Sequence, residues 1–284
     1  MPKILITGAA GFIGQLLAER LLSESQHQLI LTDVILPPIP PRSKNPSNAV
    51  TIKADLCDPP SLHALFSSST PLDAAILLHG IMSAGAEADF DLGMQVNLHA
   101  TLSVLEQLRK LQAPLRVLYA SSQAVYGQPL PAVIDETVLP TPEGSYGTQK
   151  LMCEALINDY TRRGFIDGVA LRFPTISVRP GKPTAAASSF LSGMVREPLA
   201  RKECVIPLQD RGFRSWLCSP RTLAENLVFA LGVDFDRKFP LHKRILRSWG
   251  TEFDNTLAYS IGFKKDVDFE QAVRDYIETE GLSV

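Results

Sequence analysis

The chain opens on an apolar run that turns through three glycines into a helix. KILIT, residues 3–7, is continuous enough in apolar side chains to be a strand buried on both faces. Glycines stand at 8, 11 and 14, and FIGQLLAERLLSES, residues 12–25, carries apolar residues at helical spacing. A strand, a glycine turn and a helix in direct succession bring the carboxyl end of one against the amino end of the other. In such a turn Gly8 allows a tight bend, Gly11 allows close approach to the backbone, and Gly14 allows the helix to pack on the strand. The helix start, with Phe12 and Ile13, offers free N–H groups and a positive dipole end. In this setting the spacing points to a dinucleotide pyrophosphate rather than an ordinary strand–helix turn.

The alternation continues. QLILTDV (28–34), AVTIKADL (49–56), LDAAILLHG (72–80), PLRVLYASS (114–122) and GVALRFP (168–174) read as further strands. Helical patterns fill the intervals: a short helix opened by Pro59-Pro60, a long one over 92–111 and another over 145–163. Continuous apolar strands alternating with helices predict a doubly wound parallel α/β sheet of the Rossmann type, covered on both faces. Residues 1–176 form this dinucleotide-binding domain. Past Pro174 the pattern loosens. Helices are expected at 188–196, 220–232 and 269–280, and a loop at 178–189. Residues 177–284 read as a small substrate lobe, partly interleaved with the sheet. The proline-rich LPPIPPRSKNP, residues 36–46, reads as a surface loop.

Composition closes off other classes. With 45% hydrophobic and 20% charged residues, the 284-residue chain can bury a sizeable core. Lys and Arg number 28 against 30 Asp and Glu, a net charge of −2 that favours neither nucleic acid nor an anionic membrane. The four cysteines are widely spaced and form no CxxC, and the five histidines form no HExxH, so neither a disulfide framework nor a metal site is expected. No secretory leader and no stretch of 18 apolar residues is apparent. A soluble, reducing compartment, the cytosol, fits best.

Three further motifs carry chemistry. Asp33 ends the second strand, about 20 residues beyond the glycines. A carboxylate there accepts from the ribose hydroxyls and repels a 2′-phosphate, which favours NAD over NADP. Asp55-Leu56 closes the third strand, as an adenine contact or as a solvated loop acid. Tyr146 and Lys150, in YGTQK, share one face of a helix. An ammonium near a phenol favours the phenolate, so the tyrosine pKa should fall towards neutrality and the group could take a proton from a hydroxyl. ASSQAVYG, residues 120–127, lies at the carboxyl end of the fifth strand, where ligands of such sheets bind. Ser122 is the better candidate there to bond a reacting oxygen, with Ser121 the alternative.

In order along the chain, TGAAGFIG, Asp33, Asp55-Leu56, SSQAVYG and YGTQK resemble the extended short-chain dehydrogenase/reductases, the NAD-dependent epimerase/dehydratase family. The resemblance puts Ser122, Tyr146 and Lys150 at the family's catalytic positions, with Lys150 also holding the ribose. NLHAT, residues 97–101, is similar to the family's NVxGT, with Ala100 replacing the usual glycine, and implies that Asn97 shapes the central helix and supports a proton relay. Gly80, Pro174 and Ile176 are implied at the cofactor. The stretch 145–199, EADFDLG (87–93), CSPR (218–221) and FDNTLAYSIGF are similar to the D-erythronate dehydrogenase branch, whose members oxidise a hydroxyl of a sugar acid with NAD. The resemblance also implies a homodimer, through the helices of 92–111 and 145–163.

Two departures stand out. The family's histidine of the fourth strand falls on Leu77, and His79-Gly80 stands where two small residues are common, so His79 reads as a packed histidine. Between Phe239 and Trp249 the chain lacks roughly 30 residues that the branch carries. On the substrate side, Arg179, Lys182 and Arg221 are the cations placed to meet an anionic small molecule, or else they make structural ion pairs. Ser83 and Met82 could line the pocket beside Ser122, and Trp216 reads as core. The leading expectation is an NAD-dependent oxidoreductase of a polyhydroxy acid. A nucleotide-sugar epimerase, a ketoreductase of specialised metabolism and a non-catalytic NAD(P) sensor are the alternatives. Dehydration is disfavoured, because Gln123-Ala124 supplies no acid pair beside Ser122.

Overall fold

A computed structural model describes residues 1–69, 71–111, 114–135, 137–180, 188–207, 213 and 215–233. Lys182, the expected helix at 269–280, the segment between Phe239 and Trp249 and the FDNTLAYSIGF stretch lie outside the described residues.

Strand β1 (Lys3–Thr7) leads through the glycine turn into α1 (Phe12–Leu21). Then come β2 (Gln28–Asp33), β3 (Ala49–Lys53), α2 (Pro59–Ser69), β4 (Ala74–Leu77) and the short helices α3 (Ser83–Ala88) and α4 (Phe90–Gly93). The chain continues through α5 (Ala100–Leu108), β5 (Arg116–Ser122), α6 (Ser145–Arg162) and β6 (Asp167–Phe173). The six strands pair in parallel in the order β3-β2-β1-β4-β5-β6. This is the expected doubly wound sheet. Its chain direction reverses between β1 and β4, and that crevice is where such sheets take ligands.

Strand periodicity divides the core in two. Leu5, Ala75, Leu77, Val117 and Tyr119 point to one face, where Val104, Leu105, Cys153 and Ile157 of α5 and α6 cover them. Ile4, Ile6, Leu29, Leu31, Ile76 and Leu118 point to the other, under Leu17 and Leu21 of α1. Each such side chain stabilises by about 1.5–3 kcal/mol on burial, so the sheet holds the turns at its carboxyl edge firmly.

After β6 come β7 (Thr175–Ile176), α7 (Ser189–Leu199), β8 (Leu217–Cys218) and α8 (Pro220–Gly232). Strands β7 and β8 form a separate two-stranded parallel ladder. Ser219 caps α8 by accepting from Thr222 N, and Pro220 starts it. Leu223, Leu227 and Ala230 of α8 join the core beside α1, so this later segment returns to the sheet. Residues 1–240 form one compact unit, within which residue 176 falls.

Two expectations need correcting, and a third gains detail. The helix expected over 92–111 is broken: α4 gives way to a π-helical stretch, Met94–His99, before α5 begins. Hydrophobic spacing does not register one inserted residue, and a widened turn of this kind often marks a functional position. Trp216, expected in the core, is 58% exposed, just before the two-residue strand β8. The proline-rich segment is a loop, but one fastened to α1. Gln15 Nε2 donates to Ala9 O and Pro38 O, at 2.8 and 2.9 Å, and Asn45 Nδ2 donates to Leu22 O at 3.0 Å.

Candidate active site

The crevice is lined first by the glycine turn. Gly8 adopts φ +66, and a Cβ there would lie 2.7 Å from His79 N, so the turn is pressed against the end of β4. A Cβ on Gly14 would lie 2.5 Å from Gly8 O, which explains the close seating of α1. Gly11 is exposed at the N-cap of α1, where no side chain caps the helix and the first turn holds no acid. The donors there, with Phe12 and Ile13 half-buried behind Gly11, are left for an anion. The Asp33 carboxylate reaches the same turn. Its Oδ2 accepts from Ala10 N at 3.0 Å, and its Oδ1 from Val34 N at 2.7 Å. Val34-Ile35 follow it with no cation, which suits a ribose diol and not a 2′-phosphate. The residues present therefore fit an adenine dinucleotide. Asp55 is exposed and accepts from Cys57 N at 2.8 Å, while Leu56 is buried in the core.

Gly80 follows β4 at φ +154. A Cβ on it would lie 2.9 Å from Asn97 Oδ1 and 3.7 Å from Lys150 Nζ, so Gly80, Asn97 and Lys150 converge. Asn97 is buried in the π-helical stretch. Its Oδ1 accepts from Ile81 N at 2.7 Å, and its Nδ2 donates to Ile81 O and to Gln149 Oε1, at 3.1 and 2.7 Å. Lys150 is 3% exposed and donates to Ala120 O at 2.7 Å. Burial lowers its pKa to about 8. Its Nζ lies 4.7 Å from the Tyr119 ring centroid and 5.5 Å from that of Tyr146.

Tyr146 sits in the first turn of α6. The Ser122 hydroxyl lies close enough to bond its phenol, which favours the phenolate, and the Arg179 charge acts in the same sense. Burial outweighs both and raises the phenol above its ordinary pKa. This corrects the expectation that the phenol's pKa falls towards neutrality beside Lys150, since burial dominates and the ammonium donates to Ala120 O. The strand pleat separates the two serines. Ser122 faces Tyr146, and Ser121 donates to the buried Glu154.

Arg179 is half-buried. Its Nε donates to Ile176 O at 3.1 Å and its Nη2 to Ser188 Oγ at 3.4 Å, and no described residue gives it a carboxylate. Pro174 is half-buried. Thr175 and Ile176 are buried in the β7–β8 ladder, where Thr175 Oγ1 accepts from Gln123 Nε2 at 2.9 Å. Ser83 opens α3, three residues beyond Gly80, with Met82 before it. Arg221 is exposed in the first turn of α8, and its charge acts on Glu225. The crevice thus gathers an anion cradle, a phenol–hydroxyl pair and a guanidinium with no carboxylate partner among the described residues, a set able to bind a dinucleotide and move a proton. Sequence reasoning gave no role to Gln149 and Thr101, although they lie within YGTQK and NLHAT, and missed the Glu154–Arg172 pair, which no motif flags.

Comparisons with known proteins agree with this geometry. The chain is 37% identical to D-erythronate dehydrogenase of Haemophilus influenzae, over 97% of this chain and 99% of that protein. It is 36% identical to D-erythronate dehydrogenase of Cupriavidus necator, over 99% of each. The first alignment runs over 320 positions against 284 residues here, so the relative carries residues this chain lacks. A crystal structure described as a nucleoside-diphosphate-sugar epimerase from Agrobacterium tumefaciens superposes with a TM-score of 0.75 at 34% identity, over 98% of this chain and 94% of that one. Residues 4–230 match the NAD dependent epimerase/dehydratase family, and the chain belongs to it.

Proposed function

We propose that the protein is an NAD-dependent dehydrogenase that oxidises a secondary hydroxyl of a small polyhydroxy acid, as the names of its two D-erythronate dehydrogenase relatives suggest. One observation carries the reading: the Tyr146 phenol, paired with Ser122, lies within the field of an Arg179 guanidinium that has no carboxylate among the described residues.

Gly8, Gly11, Phe12, Ile13 and Gly14 would seat the pyrophosphate, Asp33 the adenosine ribose and Asp55-Leu56 the adenine side. Gly80, Pro174 and Ile176 would flank the nicotinamide, and Lys150 its ribose. NAD, when bound, accepts the hydride that leaves the carbinol carbon and brings a positive charge that favours the phenolate. Ser122 holds the reacting oxygen. Tyr146 takes the hydroxyl proton, so that the carbon is left as a carbonyl. Arg179 pairs with the substrate carboxylate, and Ser83 and Arg221 complete the substrate side. Asn97 keeps the helix and the Gly80 turn in place for Lys150.

Residues 177–284 supply the substrate lobe. The four cysteines are all free, which fits a reducing cytosol. The reading extends to a homodimer, with Met94 and Met152 lining a groove beside the exposed Phe90, which sedimentation velocity would test. Among the described residues no helix is long and apolar enough to cross a membrane.

The deciding experiment offers purified protein and NAD a panel of four-carbon sugar acids and UDP-sugars, follows net oxidation by absorbance of the reduced cofactor, and follows epimerisation, which returns the hydride and leaves no net reduced cofactor, by chromatography of the sugars. Turnover of the acids alone supports the dehydrogenase. Isomerisation of UDP-sugars without net cofactor reduction would move the protein to the epimerases, the activity for which the Agrobacterium relative is named.

A further inference from the structure

We infer that His79, held as one neutral tautomer between Thr7 and Thr101, is a positioning residue that keeps Asn97 and the Gly80–Ile81 turn in register with Lys150. The inference rests on the dehydrogenase reading for its kinetic consequence, but its geometry stands independently.

Hydroxyl protons set the tautomer. Thr101 Oγ1 gives its single proton to Asn97 O, at 2.7 Å. It can then only accept at His79 Nε2, 3.1 Å away, so Nε2 carries the hydrogen. A neutral ring leaves Nδ1 bare to accept from Thr7 Oγ1, at 2.8 Å. Thr7 Oγ1 in turn accepts from Leu78 N at 3.2 Å. The result is a directed chain from the Leu78 amide through Thr7, His79 and Thr101 to the Asn97 carbonyl. Thr7, Thr101 and Asn97 are at most 1% exposed, so water cannot substitute for a missing member. Burial, reinforced by the nearby Lys150 charge, holds the imidazole pKa down to about 3, in keeping with the neutral ring.

The chain joins three separate segments. Thr7 is the residue before the glycine turn, and Gly8 abuts the His79 backbone. Thr101 lies one turn beyond Asn97, whose amide grips both the N–H and the C=O of Ile81. Asn97 O, in the π-helical stretch, accepts from Thr101 and from the Cys153 thiol at 3.2 Å. The imidazole therefore ties the cofactor turn to the residue that fixes the wall beside Lys150. Leu77, at the position of the family's histidine, has no polar group for this task.

The test compares wild type with His79→Leu and His79→Gln. The glutamine amide presents an acceptor and a donor about as far apart as the two ring nitrogens. In the wild-type protein, long-range ¹H–¹⁵N NMR should show Nε2–H only, unchanged from pH 8 to pH 5. In His79→Leu, hydrogen exchange at the Ile81 amide should quicken about tenfold or more while β2 amides keep their protection. Its kcat should fall about tenfold or more, with KM for NAD changed less than about threefold, and His79→Gln should recover most of kcat. An Nδ1–H signal, titration of the ring between pH 5 and 8, or Ile81 exchange that rises only in step with the whole sheet would overturn the assignment. Absence of wild-type turnover across the substrate panel would sink the dehydrogenase reading alone, because the spectrum and the exchange rates are read without substrate.

Discussion

The Arg172 guanidinium grips the Glu154 carboxylate through Nε at 3.0 Å and Nη2 at 2.7 Å, beneath the end of β5. Ser121 adds a third donor to the same carboxylate, and Arg172 Nη1 reaches on to Tyr126 Oη at 2.6 Å. Glu154 lies one helical turn beyond Lys150. The cluster therefore fastens β6, through Arg172, and β5, through Ser121, to the helix that carries Tyr146 and Lys150.

Glu154→Ala would leave Arg172 as a cation without its partner. A stability loss of about 3 kcal/mol is expected in urea unfolding, with Glu154→Gln losing less because one acceptor remains. A loss below about 1 kcal/mol would mean that solvent screens the pair as it screens exposed ones.

Tyr146→Phe removes the phenol and leaves the glycine turn intact. NAD affinity, measured by fluorescence titration, should stay within about twofold, while turnover falls by about 10²–10⁴-fold. Retention of the wild-type rate would assign the proton to another group.

Arg179→Gln keeps a donor and removes the charge. The kcat/KM for sugar acids should drop by about 10–100-fold, with NAD binding unchanged. A neutral polyol should be little affected, and an equal loss on it would show that Arg179 supports the loop rather than the substrate.

Lys150 titrates near 8 in the folded chain and from 10.5 in the open one. A depressed pKa means that the unfolded chain binds the extra proton between those values, so stability from this group grows as pH rises through the window and is lost on returning to pH 8. Urea unfolding should show wild type gaining up to ~3 kcal/mol on Lys150→Met between pH 8 and 10.5. Parallel curves would place the ammonium in water.

Asp33→Ser should raise the ratio of NADP to NAD turnover by about tenfold or more, since the carboxylate that excludes a 2′-phosphate is gone. An unchanged ratio in initial-rate assays would remove Asp33 from cofactor choice.

Much of this architecture is legible from local pattern. Strands such as Lys3–Thr7 are buried on both faces, so their apolar runs stand out, and Gly8 and Gly14 announce a turn because nothing larger fits against His79 and Ala9. The Tyr146–Lys150 spacing is equally visible. What the pattern conceals is pairing at a distance. Ser121 meets Glu154 across 33 positions, Asn97 meets Gln149 across 52, and Thr7 meets His79 across 72. No periodicity encodes those meetings; they follow from which strand lies beside which. The π-helical insertion escapes notice because a single widened turn leaves no mark in the hydrophobic spacing. The rise in the Tyr146 pKa depends on burial by neighbours that no single motif contains.

The sheet order has a consequence for how the molecule is made. β1 pairs with β4, so Leu5 waits for Ala75 to arrive before its second edge is covered. Ribosomal synthesis exposes the first strand as an unpaired template for as long as those intervening residues take to emerge. The anion cradle is thus translated before β4 but gains its second supporting edge only after it, so its assembly tracks closure of the central strands rather than growth of the chain.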